Sequence, residues 1–192
     1  MARIQPLPPR EWPEEMRAAL AALRPADARL AAPRQEGRPK ALNALGTFAR
    51  HPRLAHAFHT FNGHVLFGTS LSERQRELVV LRVAALRDSE YEWRQHAVLA
   101  GDVGIEPAEV ARVAEGPDAP GWTAFDRALL AAVDELVRDA MVCDATWDEL
   151  AGSLDTHQLM DLVFTVGAYD LLAMAFRSFG VELDEDLAQR DG

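Results

Sequence analysis

The chain reads as an all-α protein, and three observations carry that reading. From about residue 41 onward, apolar residues recur at spacings of three and four, with no strongly alternating stretch of strand type. Hydroxyl residues stand just before several of these runs, as helix N-caps do. Eight of the eleven prolines lie within the first 52 residues and none follows Pro120, so the later chain lacks the commonest helix breaker.

The elements follow in order. A short helix near 13–23 precedes a polar linker rich in Pro, Arg and Gly that ends near Lys40. Helices are expected next near 41–50 and 52–67, the second opened by His51-Pro52, where proline at the first helical position loses no hydrogen bond. Ser70-Leu-Ser-Glu73 and Ser89-Glu-Tyr-Glu92 read as capping boxes for helices near 71–87 and 89–100. A helix near 107–115 follows, with Gly101 and Gly116 placed as left-handed stops. Thr123 and Thr146 cap helices near 123–140 and 146–153, and a long apolar helix spans 156–179. The expected organisation is an N-terminal extension and linker over 1–40 and one helical domain over 41–192, with its informative motif at 70–116.

Composition limits function. At 192 residues, with 48% hydrophobic and 26% charged residues, the chain is long enough and apolar enough for a globular core. A net charge of −10 argues against nucleic acid, whose phosphates need clustered Lys and Arg. Cys143 is the only cysteine, which excludes an intramolecular disulfide and a Cys-x-x-Cys centre and suits a reducing compartment. The first residues lack an apolar core of signal-peptide length, and Asp161 and Asp170 interrupt the most apolar late stretch. A cytoplasmic protein without membrane association is expected.

Candidate chemistry concentrates between Glu73 and Gly101. Glu77 shares a helical face with Val80, Leu81 and Ala84, so its carboxylate must be paired, neutralised or used. Arg82 interrupts the otherwise uncharged run Leu78–Leu86 and offers itself as a structural partner of Glu77. Glu92 and His96 are one helical turn apart. A carboxylate bonded to one ring nitrogen would fix the tautomer and raise the basicity of the other, which suits general acid/base work. His51, His56, His59, His64 and His157 read as surface or interface residues, Trp12, Trp122 and Trp147 as packing anchors, and Gly167 as a point of close helix approach.

Three strings carry a resemblance: Leu71-Ser-Glu-Arg-Gln-Arg-Glu-Leu-Val-Val-Leu-Arg-Val-Ala, Glu90-Tyr-Glu-Trp-x-x-His96 and Gly104-Ile-Glu-Pro-Ala-Glu-Val. In this order they resemble the carboxymuconolactone decarboxylase family, which shares an all-α fold with alkyl hydroperoxidase D. The helix containing Phe164-Thr-Val-Gly-Ala-Tyr169 resembles the family's closing helix, displaced by an inserted helix at 123–140. In the hydroperoxidase branch a glutamate precedes Cys-x-x-Cys, and a histidine stands four residues beyond the second cysteine. Glu77 and His96 match the ends of that pattern, but Ser89 and Glu92 occupy the cysteine positions, so the thiol cycle has no nucleophile. The Glu92-Trp93-x-x-His96 arrangement is more similar to the decarboxylase branch.

The resemblance implies a cofactor-free lyase or isomerase acting on a small carboxylated or lactone-like substrate. His96 would be the general acid/base, Glu92 its orienting carboxylate and Glu77 a second proton carrier or electrostatic partner. Arg82 or Arg94 would hold a substrate carboxylate, with Ser89 and Trp93 beside it. Alternatives are metal-assisted chemistry at Glu77, Glu92 and His96, a non-catalytic assembly module and, least favoured for want of a cysteine pair, hydroperoxidase activity. The resemblance also implies homo-oligomers, either dimers or trimers of dimers. An apolar excess in 41–67 and 156–179 points the same way.

Overall fold

A computed structural model describes residues 1–24, 26, 28–29 and 38–188. Ten α-helices account for most of them: α1 Glu15–Ala22, α2 Leu42–Phe48, α3 Pro52–Gly63, α4 Glu73–Leu86, α5 Glu90–Asp102, α6 Pro107–Glu115, α7 Ala124–Asp139, α8 Asp144–Ala151, α9 Thr156–Phe179 and α10 Glu185–Ala188. A 3-10 turn at Pro9–Glu11 precedes α1, and a π-helical turn at His64–Gly68 extends α3. No strand occurs among the described residues, and the all-α class holds. Most of the expected linker before Lys40 lies outside the described residues.

The chain forms two compact units, residues 1–69 with 175 onward, and residues 70–174. In the first unit α1 packs against α3, and Met16 and Ala19 join Ala49 and Ala55 in one apolar cluster covered by Leu7, Trp12 and Phe48. Gly46 lets the segment before α1 cross α2, since a Cβ there would lie 2.5 Å from the Leu7 carbonyl oxygen. His59 is buried here, contrary to its expected surface position. Its Nδ1 is 3.1 Å from the Ala19 carbonyl oxygen, and burial lowers its pKa.

The second unit is built around α4, which packs against α5, α6 and α7. Every residue from Arg76 to Ala84 is buried, so this helix is enclosed on all sides rather than half-exposed. Its start is fixed by Ser72 and Gln75 in a reciprocal capping box, not by Ser70. Ser70 donates instead from its N–H and hydroxyl to Asp161 on α9, both at 2.6 Å. Thr123 caps α7 as expected by accepting from the Asp126 N–H. Thr146 does not cap α8; its hydroxyl donates to Glu135 at 2.7 Å. Gly101 lies inside α5, and the left-handed residue beyond that helix is Gly104.

Leu162, Val166, Tyr169 and Ala173 of α9 are buried. By length and composition α9 could cross a membrane, but half of its apolar window is buried, as in a core helix. Its two acids are engaged, Asp161 by Ser70 and Asp170 by Arg87. At Gly167 no atom among the described residues lies within 4 Å of a Cβ placed there, so the expected close helix approach is not found among them. Trp122 is a buried anchor whose indole N–H donates to the Gly116 carbonyl, whereas Trp147 is exposed.

Candidate functional site

The turn Arg87-Asp88-Ser89 folds α5 back onto α4. Asp88 takes a left-handed conformation (φ +48°), which aspartate tolerates better than most residues, and the Ser89 N–H closes the turn onto the Ala84 carbonyl at 2.9 Å. This brings Glu77 of α4 against His96 of α5. His96 Nδ1 lies 2.6 Å from Glu77 Oε2, with both side chains buried. Glu77 Oε1 accepts from Arg76 Nη2 at 3.0 Å and Nε at 3.3 Å. Burial works to raise the Glu77 pKa, but His96 and Arg76 outweigh it and hold the carboxyl below its usual range. A charged carboxylate accepts only, so Nδ1 carries the hydrogen and Nε2 is left as the second site of proton exchange.

Glu92 behaves differently from expectation. It is buried, and neither of its oxygens has a hydrogen-bond partner; it does not hold His96. Burial pushes its pKa up to about 8. Ser89 opposes that rise without closing a hydrogen bond of ordinary geometry, and the negative charge of Asp170 adds to it. Glu92 is thus a neutral acid at pH 7. Ser89 stands at the N-cap of α5, yet its hydroxyl neither caps the helix nor finds another partner. The expected capping box with Glu92 is absent.

Arg82 is withdrawn from both roles expected of it. Its guanidinium forks onto Asp134 of α7, with Nε–Oδ1 at 2.5 Å and Nη2–Oδ2 at 2.7 Å. Nη1 donates to the Val113 and Ala114 carbonyls at 3.1 and 2.9 Å. Gly116 (φ +110°) accommodates the fork, since a Cβ there would stand 2.8 Å from Nη2. Arg94 precedes His96 by two residues on α5, about 200° around the helix from it. Trp93 is half-buried and, with Ser89, Glu90 and Ala84, lines a cavity of about 360 Å³ at the hairpin; Glu77, Glu92 and His96 do not line it.

Two site residues were not legible in advance. Arg76 is next to Glu77 in sequence, which was the available signal, but only its contacts show that it fixes one carboxylate oxygen. Tyr169 of α9 meets the His96 ring edge-on, with centroids 5.0 Å apart. Burial first, then the Glu77 charge, raises the Tyr169 pKa, so its hydroxyl stays protonated.

A metal does not suit this donor set. Glu77 spends its two oxygens on Arg76 and His96, and His96 turns Nδ1 toward Glu77. No group of three His, Cys, Asp or Glu side chains placed to hold a metal occurs among the described residues. Cys143 is exposed and stands at a helix start, as the N-cap of α8. Its neighbours are Glu135 Oε1 at 3.3 Å and the Thr146 hydroxyl at 3.4 Å, not a second sulfur.

Residues 52–135 match the model of the carboxymuconolactone decarboxylase family. No curated protein matches the chain. Among solved structures, the apo debrominase Bmp8 is similar with a TM-score of 0.72 and 13% identity, over 97% of this chain and 94% of that one. An alkylhydroperoxidase AhpD core from Ralstonia eutropha JMP134, described as an uncharacterized peroxidase-related protein, gives 0.67 and 17%, over 83% and 94%. An uncharacterized peroxidase-related protein from Silicibacter sp. TM1040 gives 0.69 and 14%, over 85% and 95%. At these identities the likeness is one of fold.

Proposed function

We propose that this chain, whose residues 52–135 match the model of the carboxymuconolactone decarboxylase family, is an enzyme of proton transfer at carbon next to a carbonyl group. The single observation that carries this reading is the buried 2.6 Å pairing of His96 Nδ1 with Glu77. A carboxylate so placed supports imidazolium, and Nε2 then exchanges a proton with substrate as general acid/base. Glu77 is the orienting residue and Glu92 the neutral acid, the reverse of the roles that spacing suggested. Tyr169 confines the ring from α9.

Two reactions use this arrangement. In decarboxylation the electrons left by carbon dioxide pass into a neighbouring carbonyl, and His96 imidazolium protonates the resulting enolate at carbon. In isomerisation His96 removes the proton and returns it elsewhere. Both are cofactor-free. Hydroperoxide reduction is disfavoured because Ser89 and Glu92 stand where that branch carries its cysteines. A non-catalytic assembly role is the competing reading, since buried ion pairs also serve structure alone.

The test is deuterium uptake from heavy water into a panel of small lactones and β-keto acids, followed by NMR. His96→Ala should abolish enzyme-dependent uptake or carbon dioxide release while thermal melting shows a folded protein. Equal uptake by the native protein and His96→Ala across the panel would leave the assembly reading in its place.

A further inference from the structure

The unit that holds the proposed dyad has an unusual cation inventory. Residues 70–174 contain no lysine, so arginine is the one permanently charged cation type that this unit itself supplies. The arginines of α4 and its hairpin are committed. Arg74 pairs with Asp126 at 2.8 Å and with Glu109, Arg76 holds Glu77, Arg82 forks onto Asp134, and Arg87 pairs with Asp170. Arg112 of α6 lies over the Trp122 ring, 5.1 Å from its centroid. Arg94 is on the far side of α5 from His96, and the remaining arginines are exposed on α7. Each committed guanidinium faces a carboxylate that would be left buried or half-buried if it turned toward a ligand.

The unsatisfied groups have the opposite character. Both Glu92 oxygens and the Ser89 hydroxyl are buried without partners. Buried polar atoms are seldom left so, and these offer O–H donors, not a positive charge. A neutral carbonyl or lactone oxygen is the acceptor they suit. An incoming carboxylate would lose its hydration beside a neutral acid and a hydroxyl, and the nearest guanidinium, Arg76, is already held by Glu77 at 3.0 Å.

We infer that the substrate of this site is an uncharged carbonyl or lactone compound, and that the reaction is a proton shift without loss of carbon dioxide. The inference rests on the proposed acid/base role of His96 and narrows it. His96 Nε2 takes a proton from the carbon beside the carbonyl, and the C–H electron pair enters the conjugated system. The Glu92 O–H donates to the carbonyl oxygen that gains negative charge. The imidazolium then returns the same proton at the far end of that system. No atom is lost and nothing is oxidised or reduced.

The experiment compares two probes with the full chain: a five-membered β,γ-unsaturated lactone with no ionisable group, and the same lactone carrying a carboxymethyl side chain. Rearrangement to the conjugated isomer is followed by ultraviolet absorbance, and carbon dioxide release is measured in parallel, with His96→Ala as control. The neutral lactone should be converted in a His96-dependent manner with a kcat/KM at least about tenfold above that of the carboxylated one, the penalty for an unpaired buried anion. Faster conversion of the carboxylated probe, or its decarboxylation, would overturn the inference and leave the acid/base role of His96 standing. No His96-dependent turnover of either probe overturns the acid/base reading itself, and the inference with it.

Discussion

His96 takes its carboxylate from the neighbouring helix. Glu77 meets its Nδ1 at 2.6 Å, while Glu92, one turn away on the same helix, makes no hydrogen bond. The two glutamates therefore differ in charge as well as position. Glu77 is held ionised by His96 and Arg76 against its burial, and Glu92 is kept neutral by burial.

Glu77→Gln tests the first half of that contrast. The amide keeps the shape but cannot support imidazolium, so kcat should fall by roughly 10²-fold or more, the usual share of acid/base catalysis. The pKa of Glu77 is lowered on folding, so its stabilising effect is full above the ordinary carboxyl range and is lost as pH falls through the folded value. Melting curves should show the native protein losing its advantage over Glu77→Gln on acidification.

Glu92 gives the opposite sign. Its folded pKa, about 8, lies above the ordinary value, so the folded state holds an extra proton between about pH 4.5 and pH 8. Stability from this group is complete below that window and declines as pH rises through it. Glu92→Gln should melt higher than the native protein above pH 8, by an amount equivalent to up to roughly 5 kcal/mol, and the gap should close near pH 5. Activity should also fall in the native protein as pH rises through about 8, and Glu92→Gln, which keeps an N–H donor, should lose that alkaline limb. A native profile with no alkaline limb near that pH would count against the neutral acid.

Arg82 separates stability from binding. Arg82→Met leaves the buried Asp134 with only the exposed Arg138, at 3.1 Å, as a partner and should cost about 3 kcal/mol, visible as a drop in Tm. Adding Asp134→Leu should recover much of that loss, because the poorly compensated buried charge goes with it. A stable Arg82→Met protein with only a raised KM would instead restore the substrate-binding role.

Oligomerisation is proposed to run through α9. Met160, Phe164, Leu171 and Met174 are exposed and, with Gly167, repeat at alternating spacings of four and three, the pattern of a helix–helix seam. Light scattering at micromolar concentration should show at least a homodimer. Phe164→Asp should shift it to a monomer with little change in fold.

Cys143→Ser should leave activity unchanged and alter stability by no more than about 0.5 kcal/mol, since serine is at least as good an N-cap. Position at a helix start does not by itself make this thiol catalytic; its partners are Glu135 and Thr146. Assay and melting of the purified variant check both points.

The sequence alone determined what is local. Helical periods, the Pro52 start, the Thr123 cap and the Gly116 stop depend on residues a turn or two apart, and they placed nine helices to within a few residues. The cap at Ser72 rather than Ser70 was less legible, because both serines offer the same chemistry and only Asp161, 91 residues beyond Ser70, separates them. Tertiary structure decided every charged partnership of the site. Glu77 chose His96 over Arg82, Arg82 chose Asp134 at a separation of 52 residues, and Tyr169 arrived from α9. A one-dimensional spacing shows which groups share a helix face. Which of them meet across two faces depends on how α4, α5, α7 and α9 pack, and that is fixed by burying their apolar surfaces together.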